Sequence, residues 1–170
     1  ALDAGWTSAI PYLHVELGEV QALVQDAIFS RGPKGVKRTG IFLGGRDAKL
    51  AVDMLRAAKK SMVPPFEVSC FADPSGAYTT AAAMVAIAER ELQTKFHTDL
   101  SGKTVLCLGG TGPVGQIAAA LSAKAGATVK IIGRQLEKSQ GIATLVNAEF
   151  GDGQINVEGD ADANKGELIK

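Results

Sequence analysis

Three glycines, at 110, 112 and 115 in the run Lys103-Thr-Val-Leu-Cys-Leu-Gly-Gly-Thr-Gly-Pro-Val-Gly115, have the spacing in this chain that most directly implies chemistry. An apolar segment breaks into Gly110-x-Gly112-x-x-Gly115 and continues as an alanine-rich stretch, the order of strand, phosphate loop and helix. Gly110 allows a tight turn, Gly112 lets the backbone approach a pyrophosphate, and Gly115 lets the helix pack close to the strand. The pyrophosphate would rest on the free N–H groups and positive dipole end of a helix starting near Pro113, whose missing N–H costs nothing in a first turn. Thr111, Pro113 and Val114 complete the loop. With 20 glycines in the chain, a bare triplet is weak and also fits a purely structural turn, so the reading needs a second strand at the right distance. Thr128-Val-Lys-Ile-Ile132 supplies it, reached through Lys124-Ala-Gly126, whose glycine can end the helix.

At the tip of that second strand an NAD-preferring site carries an acid for the ribose 2′-hydroxyl, whereas this chain reads Gly133-Arg134-Gln135-Leu136-Glu137-Lys138. Arg134 offers a planar donor fork suited to a 2′-phosphate, and Lys138, four residues on and so on the same helical face, adds charge. The expected cofactor is NADP, with NAD as the alternative. A solvated helix start would also explain both cations.

What must position these residues is a soluble α/β chain. The 170 residues are 46% hydrophobic and 21% charged with formal net charge zero, enough to bury a real core and short for two complete domains. Neutrality, with no basic run longer than Lys59-Lys60, argues against nucleic acid and anionic membranes as partners. No apolar stretch approaches the roughly 20 residues that span a bilayer, and no signal peptide opens the chain, so the expected location is the cytoplasm. Cys70 and Cys107 lie in apolar runs and read as buried free thiols; with only His14 and His97 beside them, no metal site is expected. Neither histidine has a placed carboxylate, and both are left out of the chemistry.

Helix and strand alternate from the start. Val20, Leu23, Val24, Ala27 and Ile28 recur at helical spacing before Arg31-Gly-Pro-Lys-Gly35, a loop by composition. Thr39-Gly-Ile-Phe-Leu43 reads as a buried strand opening into Gly44-Gly45-Arg46-Asp47, where Asp47 can cap a helix whose inward stripe is Ala51, Met54, Leu55 and Ala58. Residues 66 to 71 read as another strand, and after Asp73-Pro-Ser-Gly76 a long helix is expected from Tyr78 to Phe96. A third strand of the nucleotide domain is expected over residues 154 to 157. The domain boundary falls near residues 98 to 102, dividing 1–98 from 99–170. Both ends read as cut, leaving only the first half of a Rossmann domain.

The chain resembles the bacterial NAD(P)-dependent methylene-tetrahydromethanopterin dehydrogenases of methylotrophs, a family that includes members active on methylene-tetrahydrofolate. The resemblance is carried by Asp3-Ala-Gly5, Asp26-Ala-Ile-Phe-Ser-Arg-Gly32, Ile41-Phe-Leu-Gly-Gly45, Val68-Ser-Cys-Phe-Ala-Asp73, Gly76-Ala-Tyr-Thr-Thr-Ala-Ala-Ala83 and Gly109-Gly-Thr-Gly-Pro-Val-Gly115. It implies a three-layer αβα N-terminal domain facing a pterin, followed by a Rossmann NAD(P)-binding domain, in a homo-oligomer that is a trimer or a dimer of trimers. It also implies that the N-terminal strand and the remainder of the cofactor domain lie outside this chain. The implied reaction moves hydride from a methylene carbon held between two nitrogens, so a nitrogen lone pair stabilises the methenyl product and no proton need be removed. What the protein must supply is positioning of two rings and exclusion of water.

Within that frame Thr79 and Thr80 stand at the long helix's start beside the implied cleft, and Thr80 is the expected ring-orienting hydroxyl, with helix capping as its competing role. Gly44, Gly45 and Asp47 form a second wall, the glycines allowing close approach and Asp47 accepting from a pterin amino group, or capping its own helix. Asp3 and Asp73 are weaker candidates that could simply organise turns. Tyr12 and Tyr78 read as packing. Two other readings stand beside this one. One is a different NADP-dependent Rossmann enzyme, such as a methylene-tetrahydrofolate dehydrogenase with cyclohydrolase activity or a shikimate-type dehydrogenase; the other is a non-catalytic nucleotide-binding module.

Overall fold

The computed structural model describes Asp3 and residues 5–151 and 155–161. Its chain divides into two compact units, one of residues 1–42 and 52–71 and the other of 43–51 and 72–170. In the first, α1 (Val20–Phe29) buries Val20, Val24 and Ile28, the i, i+4, i+8 stripe of the expected helix. Residues expected as loop instead make a short helix, α2 (Gly32–Val36), because Pro33 fits a first turn and the amides of Arg38 and Thr39 close it onto Gly35 and Val36. Strands β1 (Gly40–Leu43) and β2 (Ser69–Ala72) pair as a two-stranded sheet. The first was expected to be buried; instead Phe42 and Phe71 are 64% and 51% exposed and stack on each other at 5.9 Å. A two-stranded sheet has too few neighbours to cover both faces. The second strand begins later than expected because Phe66 closes a tight turn onto Val63 and sets its ring edge-on against Phe29. Helix α3 (Ala48–Lys60) joins the two units in sequence and buries Ala51, Met54 and Ala58 of the expected stripe together with Ala48, while Leu55 is only half-buried.

The second unit holds a three-stranded parallel sheet of β3 (Thr104–Leu108), β4 (Thr128–Gly133) and β5 (Val157–Ala161) in the order β3-β4-β5. Thr104 to Leu108 stand opposite Thr128 to Ile132, and Val129 to Gly133 opposite Val157 to Ala161. Connected by α5 (Pro113–Lys124) and α6 (Leu136–Phe150), this is the Rossmann-like half-sheet of an α/β fold. Central β4 is buried on both faces, with Val129, Ile131 and Ile132 at the core. Ala119, Ala120 and Ala123 of α5 and Ala143 and Val146 of α6 pack around Val129 and Ile131, and alanines permit that close approach. Gly126, at φ +91°, ends α5 as expected.

The third strand starts at Val157, where the sequence reading had it end; residues 152–154 lie outside the described residues. Asn147 of α6 sets this register, its amide nitrogen donating to the Val157 carbonyl and its amide oxygen accepting from the Val157 N–H, each at 2.9 Å. Gly159 then passes so close to the Ser139–Gln140 backbone that a Cβ there would collide. The unit's long helix α4 (Ala77–Phe96) packs Ala77 and Ala81 against Ile117 and Ala118 of α5 and Ala48 of α3.

Candidate functional site

The phosphate loop is built by a division of labour among its glycines. Gly109 takes the left-handed conformation, φ +68°, and donates its N–H to Ile132 of β4 at 2.9 Å. Gly110 is required for space: a Cβ there would lie 2.7 Å from the Cys107 carbonyl oxygen and 3.1 Å from an Ile131 methyl. A Cβ on Gly115 would lie 2.5 Å from the Gly110 Cα, so the helix is in backbone contact with the loop it follows. Gly112 differs from both. It is extended at φ −84°, ψ 167°, which any residue adopts, and a Cβ would meet only the Gly109 carbonyl oxygen at 4.0 Å. That open space lies at the start of α5, where Pro113 occupies the first turn. The Gln116 side chain donates to the Thr111 carbonyl at 3.0 Å and braces the loop, and Val114 packs against the cluster of Ala48, Ala77, Ala81, Ile117 and Ala118. Gly109 and Gln116 were missed as loop residues. The signal for Gly109 was there, since two glycines follow the strand and one must turn it.

At the β4 tip, a Cβ on Gly133 would lie 2.9 Å from the Thr111 methyl and 2.6 Å from the Ser139 hydroxyl, so the strand end abuts the phosphate loop. Arg134 and Lys138 are both exposed, and neither has an ion-pair partner among the described residues. Their shared helical face is corrected: α6 begins only at Leu136 after an extended Gln135, so Arg134 precedes the helix while Lys138 is in its first turn.

A second set of predicted residues is also gathered in this unit. The Asp73 N–H donates to the Leu43 carbonyl at 3.0 Å, the Ser75 hydroxyl to the Gly45 carbonyl at 2.9 Å, and the Tyr78 hydroxyl to the Ala48 carbonyl at 3.1 Å. Three bonds thereby hold the Gly44–Asp47 loop beside the start of α4. Both aspartates cap helices. Asp47 Oδ1 accepts the Leu50 N–H at 2.9 Å; Asp73 accepts the N–H groups of Tyr78 and Thr79 at 2.9 and 3.3 Å and the Thr79 hydroxyl at 2.6 Å. The Thr79 hydroxyl bond, with the two amides, holds the Asp73 carboxyl below its ordinary pKa. The cap of α4 thus belongs to Asp73 and Thr79, and the exposed Thr80 hydroxyl takes no part in it. The Pro74–Gly76 turn contacts α5, so the helix behind the phosphate loop also backs this second set. Asp3 is exposed and belongs to the other unit.

Cys70 and Cys107 are free, but half-buried rather than buried; burial still pushes both thiols up. No group of histidine, cysteine and carboxylate residues that could hold a metal occurs among the described residues. No helix among them is long and apolar enough to cross a membrane.

Residues 1–75 match the family described as methylene-tetrahydromethanopterin dehydrogenase, N-terminal. The chain is 47% identical over 152 residues, 89% of its length, to the NAD(P)-dependent methylenetetrahydromethanopterin dehydrogenase of Methylorubrum extorquens, covering 51% of that protein. The chain is similar to that dehydrogenase over most of its length. A second protein of the same organism, the bifunctional protein MdtA, is 38% identical over 168 residues, which is 99% of this chain and 57% of that one. The chain thus spans about half the length of the curated relatives it matches. The identity to the dehydrogenase extends well beyond the 75 residues of the N-terminal match.

Proposed function

We propose that the full-length protein carrying this chain transfers hydride from methylene-tetrahydromethanopterin to NADP and leaves the methenyl form, with methylene-tetrahydrofolate and NAD as the alternative carrier and cofactor. The observation that carries this reading is the 47% identity across 89% of the chain to a dehydrogenase named for that substrate. The open space over Gly112 at a helix start fits a dinucleotide pyrophosphate and supports the reading independently of the likeness.

In this proposal residues 99–170 hold the dinucleotide and residues 1–98 face the pterin. Gly110, Thr111, Gly112, Pro113, Val114 and Gly115 receive the pyrophosphate; Gly133 lets the β4 tip close on the loop, and Arg134 and Lys138 bind the 2′-phosphate. The nicotinamide, when bound, supplies the hydride acceptor. Because no proton has to leave the methylene carbon, the protein needs no general base. It needs the rings held face to face and water kept out. The Thr80 hydroxyl, outside the helix cap, is the orienting group in this reading. Gly44 and Gly45 let the pterin approach, Asp47 accepts from its amino group, and Asp73 and Thr79 hold the helix start. Asp3 is a further substrate contact. A cytoplasmic homo-oligomer, a trimer or dimer of trimers, belongs to the same proposal.

Purified full-length protein incubated with methylene-tetrahydromethanopterin and NADP should show the absorbance of reduced nicotinamide. No change with either carrier and either cofactor would refute the proposal.

A further inference from the structure

The Gly44–Asp47 loop carries three of the proposed pterin contacts, yet its glycines have no side chains with which to hold their place. Gly45 stands at φ +133°, a conformation that L side chains rarely adopt. Its carbonyl oxygen is nevertheless engaged, by the hydroxyl of a residue 30 positions away. That residue, Ser75, is itself at φ 53°, ψ 27°, a left-handed conformation that costs a non-glycine residue free energy. Glycine would relieve the strain, as Gly76 does at φ +68° in the next position. A hydroxyl kept at a position whose backbone favours glycine needs a reason outside local turn geometry. The bond to Gly45 supplies one.

We propose that Ser75 is a positioning residue: its hydroxyl pins the Gly45 carbonyl and so holds the Gly44–Asp47 loop in the arrangement that receives the pterin. The inference rests on the proposed function for the identity of the ligand, while the tether itself rests on geometry. The neighbouring bonds cannot replace it. Asp73 N–H to Leu43 lies before the loop, Tyr78 hydroxyl to Ala48 lies after it, and Ser75 alone among the described residues reaches its middle.

Ser75→Gly separates tethering from stability, because it removes the hydroxyl while relieving the backbone. In the full-length protein this variant should keep or raise the melting temperature. It should speed amide hydrogen exchange at Gly45, Arg46 and Asp47, and raise the KM for methylene-tetrahydromethanopterin about five- to tenfold, the scale of one neutral hydrogen bond, with less than twofold change for NADP. Ser75→Ala, which removes the hydroxyl and leaves the left-handed backbone in place, should speed the same exchange. Unchanged exchange and unchanged pterin KM in Ser75→Gly overturn the proposal. Equal losses for pterin and NADP overturn the claim that the tether serves the pterin loop. If the wild-type protein reduces neither cofactor, the functional reading fails instead, and faster exchange in Ser75→Gly would still support the tether.

Discussion

Two glycines three residues apart in the phosphate loop should respond to the same methyl group in opposite ways. At Gly112 the backbone is extended and the nearest atom to a new Cβ is a carbonyl oxygen at 4.0 Å, so alanine fits without strain. Two small terms then oppose each other. Alanine is a poorer N-cap than glycine, and it reduces the conformational entropy of the unfolded chain, which favours folding by about 0.4–1 kcal/mol. Their sum is within about 1 kcal/mol of zero, a shift of no more than about 4 °C for a chain of this size. The same methyl would fill the space proposed for the pyrophosphate, so Gly112→Ala should weaken NADP binding by at least about tenfold, or about 1.4 kcal/mol. At Gly115 the Cβ would fall 2.5 Å from the Gly110 Cα and 2.9 Å from its carbonyl carbon and oxygen, all backbone atoms that cannot rotate away. Overpacking of that kind costs about 1–3 kcal/mol, so Gly115→Ala should lower the melting temperature by several degrees. Calorimetric titration with NADP alongside thermal unfolding reads both quantities on the same samples. Normal NADP binding by Gly112→Ala would refute the pyrophosphate assignment, and a wild-type melting temperature for Gly115→Ala would refute the contact with Gly110.

Arg134→Ala should raise the KM for NADP by about tenfold or more and leave that for NAD nearly unchanged, since a charge-assisted contact is worth about 1.5–3 kcal/mol; equal losses would remove Arg134 from the 2′-phosphate. Asp73 has a folded pKa below its unfolded value of about 3.9, so the stability it contributes is complete above that value and is lost as pH falls through the folded pKa. Asp73→Asn should therefore flatten the melting temperature's decline below about pH 4, and an unchanged acid limb would show that the carboxylate contributes nothing through ionisation. Thr80→Val should keep the wild-type melting temperature, because the cap belongs to Asp73 and Thr79, and should depress turnover at least about tenfold; wild-type turnover would leave ring orientation to Asp47 or to other residues.

The periodic elements were legible because their spacing is set by burial within one element: Val20, Val24 and Ile28 face inward on α1 for the same reason they recur in the sequence. What was not legible depended on partners distant in the chain. Strand β5 looked as if it ended at Val157 because nothing in residues 154–161 announces that the Asn147 amide will clamp that residue's backbone. Helix α2 was hidden by its composition, Gly-Pro-Lys-Gly, whose proline is a breaker inside a helix and a starter in its first turn. In the candidate site the residue types were readable and their commitments were not. Asp47 suited either a pterin or a helix cap and Asp73 either a pterin or a turn, and the structure shows both engaged as caps. Ser75 drew no attention because its bond spans 30 residues.

Those commitments explain how an exposed, glycine-rich pair of loops can hold a geometry fit for positioning. The starts of α3 and α4 are each fixed by an aspartate, and just behind those caps Ala48, Ala77 and Ala81 are buried against Ile117 and Ala118 of α5. The N-terminus of α5 is itself the phosphate-loop end of the unit. Three helix starts therefore share one small-residue contact, and side chains this short leave little room for a helix to slide without losing packing. That contact fixes the helix starts from behind, while the bonds from Asp73, Ser75 and Tyr78 fix the Gly44–Asp47 loop against the start of α4. Each loop also carries one side-chain tether, from Ser75 to the Gly45 carbonyl and from Gln116 to the Thr111 carbonyl, so its glycines can keep the space beside them open.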